Sequence, residues 1–363
     1  MAYRFLHTAD WQLGKPFAGF GPERAAQLQG ARLEIIPKLA DLARREGAAD
    51  VLVAGDVWDQ LEPSDALLRR TLDRLGEQKG VRWWLLPGNH DHYRDEGLWQ
   101  RLQRIGLPPN VELLLDGQPR ELAQGVTLLS APLKGRRAGR DLTEGFEGRA
   151  FEGAVIGIAH GGVQAFGSGD DAGVIDAERA EKAGLAYLAL GDWHATKQAG
   201  PRAFYAGTPE ADDFRTTDQG NALIVDLADA DNPVSHRISR YTWSAQQERL
   251  SPGEKPDELM DRLFPSGQRL DETLMRLTLT GSTEIAARSA VDEALNEAQD
   301  RLFHLDLRTK ELSVTADAEN VEELLGDGVL GRVARKLAAM QDGPDADEAR
   351  AALRELTKLA RQA

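Results

Sequence analysis

The chain contains no cysteine among its 363 residues. Disulfides and thiolate metal sites are thereby excluded, and the composition is compatible with a reducing compartment. It also lacks any run of about 20 apolar residues, the length that a membrane-spanning helix requires. Its first residues, Met1-Ala2-Tyr3-Arg4-Phe5-Leu6-His7, enter a strand-like run without the charged start and long apolar stretch of a secretion signal. A soluble, cytoplasmic protein with no membrane association is the expectation. Positive charge is scarce as well: 44 Lys and Arg against 59 Asp and Glu give a formal net charge of −15. That argues against a polyanion-binding surface spread over the whole molecule, but a local basic patch or metal ions can still neutralise phosphates. Neither an internal repeat nor a low-complexity tract is present.

Apolar residues (41%) and charged residues (28%) stand in globular proportions. At about 150 residues per domain the length predicts two domains with an appendage. Several segments share one design, an apolar run that breaks into a Gly or Asp turn. Phe5 to Asp10 is the first and Val51 to Asp56 the second, separated by the helical pattern Leu28, Leu33, Ile36, Leu39, Leu42. Pro63-Ser64-Asp65 opens another helix before the run Val81 to Leu86. Short strands are expected at Val111 to Leu115, Val126 to Leu129, Val155 to Ala159, Tyr187 to Leu190 and Ala222 to Asp226. Helix-length crossovers between short buried strands imply an α/β fold built from βαβ units.

Five of these strands end in polar groups: Asp10-Trp11-Gln12, Gly55-Asp56-Val57-Trp58-Asp59, Gly88-Asn89-His90-Asp91, His160-Gly161-Gly162 and Gly191-Asp192-Trp193-His194. Any one alone is more often an ordinary turn than a site. Together, carboxylates, an amide oxygen and imidazoles delivered from separate strands can enclose two divalent ions, activate a water and clamp the oxygens of a phosphoryl group. That is the chemistry of phosphoester hydrolysis.

The ordered set resembles the calcineurin-like metallophosphoesterase superfamily over residues 3 to 210, with its D-x-H, GDxxD, GNH[DE], H and GHxH motifs. The opening His7-Thr8-Ala9-Asp10 and the segment Tyr205-Ala206-Gly207-Thr208-Pro209-Glu210 are most similar to the bacterial SbcD and YhaO type of DNA repair nuclease. The resemblance implies a layered β-sheet core flanked by helices. It makes Asp56 the ligand bridging two ions, with Asp10 and His194 on the first and Asn89 and His160 on the second. It makes His90 the catalytic histidine, oriented by Asp59 and supported by Asp91.

Two positions depart from the pattern. Gln12 replaces the histidine of D-x-H and offers only a neutral carbonyl oxygen; Asp192 replaces the first histidine of GHxH and adds a carboxylate that can ligate the second ion. The donor set moves toward oxygen, which suits Mn²⁺ or Mg²⁺, Mn²⁺ being the expected ion. His7, His236 and His304 are expected to be structural, and His92 either touches substrate or is a solvated turn residue. Trp11, Trp58 and Trp193 are expected to pack around the site. The basic stretch Lys134-Gly135-Arg136-Arg137-Ala138-Gly139-Arg140 is either a DNA-backbone contact or a solvated loop.

Residues 1–243 are expected to form the nuclease domain and 244–318 a linker with a β-α-β capping module. Residues 319–363 are expected to form terminal helices, with Leu330, Val333, Leu337 and Met340 on one face. The resemblance implies a metal-dependent DNA nuclease acting with an SMC-like coiled-coil ATPase, and a homodimer is compatible with it. Two other functions stay open: a phosphodiesterase or phosphatase on a small nucleotide or phosphoprotein, and a non-catalytic scaffold with a degenerate metal site.

Overall fold

Phe5 and Leu6, neighbours in strand β1 (Arg4–Thr8), are both fully buried yet belong to different cores, because successive side chains leave a strand on opposite faces. The whole of the larger unit is built on that alternation. In the computed structural model, residues 3–164, 174–215, 218–251, 254–315, 328–341, 343–346, 348–349, 351–353 and 356 are described. The chain divides into two compact units, Met1–Tyr241 and Thr242–Ala363.

In the first unit β1 is followed by helices α1 (Gly21–Leu33) and α2 (Ile35–Arg45), strand β2 (Asp50–Val53), helix α3 (Asp65–Gly76), strand β3 (Arg82–Leu85), helix α4 (Leu98–Ile105) and strand β4 (Val111–Leu113). The apolar pattern from Leu28 to Leu42 predicts continuous helix, but the chain breaks at Glu34. Pro37 has no N–H to give to the carbonyl of Leu33, so one helix ends and another starts there. α3 starts at Asp65, where the Ser64 side chain accepts the Leu67 N–H at 3.2 Å.

A second run gives β5 (Arg120–Ala123), β6 (Val126–Ala131), β7 (Ala154–His160), α5 (Arg179–Lys182), β8 (Tyr187–Gly191), β9 (Lys197–Gly200) and β10 (Ala203–Tyr205). Strands β11 (Asn221–Asp226) and β12 (Val234–Arg237) then return to the first sheet. The two six-stranded sheets have orders β12-β11-β1-β2-β3-β4 and β5-β6-β7-β8-β10-β9. Strands β1 to β4 are mutually parallel, as are β6, β7, β8 and β10.

Phe5, Leu52, Trp84 and Val225 of the first sheet meet Leu128, Ile156, Ile158 and Phe204 of the second in one core. On the outer face of the first sheet, Leu6, Val51, Val53 and Trp83 pack against Ile36, Leu39, Leu68, Leu72 and Trp99 of the helices. The first unit is therefore a layered α/β fold with two facing sheets.

The second unit is a parallel sheet of β13 (Thr242–Leu250), β14 (Thr273–Glu284) and β15 (His304–Thr315), with helices α6 (Pro256–Leu263) and α7 (Ile285–Arg301) between them. Met275, Leu277 and Leu279 are buried with Val291 and Leu295 of α7. The linker with a short helix expected from Ser244 to Gln268 begins instead as an edge strand, up to Leu250, and its short helix is α6. Main-chain pairing from Thr242↔Thr273 to Leu250↔Gly281 holds β13, so its polar side chains need no core of their own. In the terminal helix α8 (Val329–Ala339), Leu330 and Val333 are exposed while Leu337 packs beside buried Ala334 and Leu353. Residues 316–327 and most of 354–363 lie outside the described residues. Among the described residues no helix is long and apolar enough to cross a membrane.

Candidate metal centre

Strand order brings the five polar strand ends together. β1, β2 and β3 are neighbours in one sheet and β7 and β8 in the other, so Asp10, Asp56 and Asn89 leave the C-terminal edge of the first sheet, and His160 and Asp192 that of the second. Such an edge is where α/β sheets place ligands. The first two loops are zipped by main-chain bonds, Asp10 N to Gly55 O at 3.0 Å and Gln12 N to Asp56 O at 2.9 Å.

Asp10, Gln12, Asp56 and Asp192 adopt φ values of 54°, 44°, 53° and 109°, the left-handed region that non-glycine residues avoid. Each costs about 1–3 kcal/mol, and such residues concentrate at functional sites. Two glycines are required by close approach: a Cβ on Gly88 would stand 2.1 Å from Asp56 Oδ1, and one on Gly55 would stand 2.2 Å from His160 Nδ1.

Around Asp56, the buried His160 donates from Nδ1 to the carbonyl of Ala54 at 2.8 Å, which turns Nε2 toward Asp56 Oδ1 at 3.6 Å and Asp192 Oδ1 at 3.8 Å. Burial opposes charge on this ring, but Asp56, Asp10 and Asp192 outweigh it and raise its pKa to about 9. Asn89 gives its amide to Asp192 at 3.4 Å. Among the described residues, Asn89 Oδ1 and His160 Nε2 are buried without a hydrogen-bond partner. Buried polar atoms without a partner are uncommon, and an amide oxygen and an imidazole nitrogen beside these carboxylates fit a cation, which would take the place of the imidazole proton. Asp10, Asp56 and His160 each offer a ligand atom, and these atoms lie within 4.8 Å of one another. Burial raises Asp10 to a pKa of about 6, with Asp56 adding to the rise and both His160 and His194 opposing it.

The other half is arranged differently. Gln12 Nε2 stands 3.2 Å from His194 Nε2, and Gln12 Oε1 accepts Lys15 Nζ at 3.3 Å. His194 Nδ1 meets Asp212 Oδ1 at 3.3 Å, and Asp212 also pairs with Lys15 at 2.6 Å and with the fully buried Arg32 at 2.7 Å. Burial works against ionising Asp212, yet Arg32, His194 and Lys15 hold its pKa below the ordinary carboxylate range. Asp212, Arg32 and Lys15 are absent from the motif-based residue set. Lys15 and Asp212 are 197 positions apart, and no spacing rule links them.

His90 is half-buried and takes the Asp56 Oδ1 contact through its main-chain N–H at 2.9 Å. Its Nδ1 donates at 2.8 Å to the main-chain carbonyl of Asp59, leaving Nε2 as the free end of the ring. The Asp59 main chain thus fixes the ring, and the half-buried Asp59 carboxylate is coupled to His90 by charge. Asp91 accepts from Gly88 N at 2.7 Å and Trp58 N at 3.1 Å, joining two motif loops; burial first, and then Asp56, raises it to about 7.

Trp11 and Trp58 are fully buried, as expected of packing residues, but Trp193 is 42% exposed, with Lys197 Nζ 4.7 Å over its ring. Its place on a loop beyond β8 leaves it no core to enter. His7 is buried, with Nδ1 on Tyr187 Oη and Nε2 on the Leu190 carbonyl, both at 3.1 Å. His92 is buried against the Asn89 carbonyl, 3.2 Å away.

Residues 3–194 match the calcineurin-like phosphoesterase family model, and the chain belongs to that family. Membership makes it a phosphoesterase-type hydrolase of a family that binds divalent metals. Over 91 residues, 24% of this chain, it is 31% identical to the SbcD component of the SbcCD nuclease of Staphylococcus saprophyticus, and the match spans 23% of that protein's length. Among solved structures it is similar to TT1561 of Thermus thermophilus, with 13% identity and a TM-score of 0.42 over 66% of this chain and 100% of that one. It is also similar to GAP50, the anchor in the inner membrane complex of Plasmodium, with 10% identity and a TM-score of 0.37 over 65% and 88% of the respective chains.

Proposed function

We propose that the chain is a metal-dependent DNA nuclease of the SbcD type, with Mn²⁺ as the preferred ion, that works in double-strand-break repair beside an SMC-like coiled-coil ATPase. The carrying observation is the pair of buried atoms without a hydrogen-bond partner among the described residues, Asn89 Oδ1 and His160 Nε2, the latter 3.6 Å from Asp56 Oδ1, to which the His90 main-chain N–H is also bonded. Asp10, Gln12, Asp56 and His194 would hold one ion, and Asp56, Asn89, His160 and Asp192 the other. When bound, such ions supply Lewis-acid polarisation and charge neutralisation at the phosphoryl oxygens.

The chain's own contribution is positional. In hydrolysis a water oxygen joins phosphorus as the ester P–O bond breaks, and the departing oxygen needs a proton. His90, fixed through Nδ1 by the Asp59 carbonyl, presents Nε2 to deliver it. Choice of DNA as substrate is supported by the likeness to the SbcCD nuclease component. A second unit beyond Tyr241, with the exposed Leu330 and Val333 on α8, offers surface for DNA positioning and for an ATPase partner.

The test is hydrolysis of linear duplex DNA, single-stranded DNA and bis-p-nitrophenyl phosphate with Mn²⁺ or Mg²⁺, beside a His90→Ala variant. Cleavage of DNA that falls about 10²–10⁴-fold in the variant, at unchanged metal content, is expected. Hydrolysis of the small diester without DNA cleavage would replace the nuclease with a small-substrate phosphodiesterase. No hydrolysis at all by metal-loaded protein would leave a scaffold.

A further inference from the structure

The basic stretch noted in the sequence does not lie flat on the surface. Residues 130–149 fold around a cavity of about 460 Å³ whose rim carries Lys134, Arg137, Arg140 and Arg149. Leu142 and Phe146 form part of its wall, so a charged rim and an apolar face adjoin. The only acidic side chain lining it, among the described residues, is Asp116, which Arg120 already holds through both carboxylate oxygens at 3.0 and 2.9 Å. Lys134, Arg137 and Arg140 are exposed, and among the described residues none has an acidic partner. In a chain of net charge −15 this is a concentrated local excess of positive charge.

Ser130, at the end of β6, contributes to the lining. The cavity also adjoins the strands that carry the site: Ala131 pairs with Ala159, the residue before His160, and the Leu133 carbonyl accepts the Tyr93 N–H at 2.8 Å, just past the His90 turn.

We propose that this cavity binds a nucleotide unit through its phosphate groups, with Arg137, Arg140, Lys134 and Arg149 gripping phosphate oxygens and the base against Leu142 and Phe146. Guanidinium forks match phosphate geometry in two-point contacts, and the volume falls in the range of small-ligand sites. Its basic residues are not among those of the metal centre, and the proposal does not depend on the nuclease assignment. A free nucleotide and the end of a DNA strand present the same chemistry to it.

Calorimetric titration of the full chain with EDTA present, so that no phosphate is held through metal, tests the proposal with pyrophosphate, dAMP and a short 5′-phosphorylated oligonucleotide. Saturable binding of dAMP is expected, weakened at least tenfold in an Arg137→Glu/Arg140→Glu variant, with wild-type melting behaviour as the folding control. For the oligonucleotide, an Arg137→Gln/Arg140→Gln variant is expected to lower the slope of log K against log salt by about 1.4, the value for two single-strand phosphate contacts. Equal affinity for dAMP and oligonucleotide would assign the pocket to free nucleotides, and tighter oligonucleotide binding would assign it to strand ends. No saturable binding, or binding indifferent to both arginine variants, overturns it. Failure of DNA cleavage would not, because binding is read without metal.

Discussion

Gln12 and His194 satisfy each other: the amide nitrogen of one stands 3.2 Å from Nε2 of the other, while Lys15 holds the glutamine oxygen. Across the centre, Asn89 Oδ1 and His160 Nε2 have no hydrogen-bond partner among the described residues. The two halves therefore start from different states, and an ion entering the Gln12 half must first displace hydrogen bonds and face a lysine ammonium. Loading is expected in two steps, tight at Asp56, Asn89 and His160 and weak at Asp10, Gln12 and His194. Replacing Gln12 with His should tighten the weak step at least tenfold in a Mn²⁺ titration followed by calorimetry. An unchanged second step would refute this account of the asymmetry.

Asp212 is shared by Arg32, Lys15 and His194, and Arg32 is fully buried. Asp212→Asn removes the countercharge of a buried guanidinium, which costs about 3–5 kcal/mol. A fall of that size in the denaturant-unfolding free energy of the first unit is expected, together with weaker metal binding through the unsupported His194. A denaturation midpoint identical to wild type would show that Arg32 is held by the Trp11 and Glu210 carbonyls alone, the other groups it bonds.

Gly88→Ala is expected to fail at the metal rather than at the turn. The added Cβ meets Asp56 Oδ1 at 2.1 Å and Asp56 N at 2.4 Å, so Asp56 must move. Overpacking of this kind costs about 1–3 kcal/mol. Elemental analysis should find bound Mn²⁺ reduced in a protein that still folds; full metal content would mean the loop accommodates the methyl.

His7 supplies a pH dependence away from the ligands. Burial lowers its pKa to about 3, against ~6.5 in an unfolded chain. Below ~6.5 the unfolded state binds a proton that the folded state refuses, so stability falls as pH drops toward 3, by about 1.4 kcal/mol per unit from this group. Above that range His7 contributes no slope. In urea unfolding between ~pH 7 and ~pH 5, His7→Gln should flatten the stability profile relative to wild type, and parallel profiles would contradict a neutral buried His7.

The strand-end motifs were legible because each couples a buried apolar run to a turn, and strand order then does the assembling. Asp10, Asp56, Asn89, His160 and Asp192 all stand on the one edge for that reason. What escaped the sequence was the support: Asp212 lies 18 positions beyond His194, in a stretch without period, and Asp59 acts on His90 through a carbonyl that every residue possesses. Trp193 shows the same limit, since a tryptophan in a motif reads alike whether it faces core or solvent. The polar run from Ser244 to Leu250 reads as linker because an edge strand is held by main-chain pairing, which leaves no mark in side-chain chemistry.

Because its ligand residues leave two separate sheets, the centre also has a mechanical side. An ion held by Asp10 and Asp56 from one sheet and His160 from the other would pin the two layers at their common edge. At a hundredfold excess of ion over its dissociation constant, such a clasp adds about 2.7 kcal/mol to unfolding. Chelation should then raise amide hydrogen exchange first where β2 and β7 end, and unfasten the sandwich from its active edge inward.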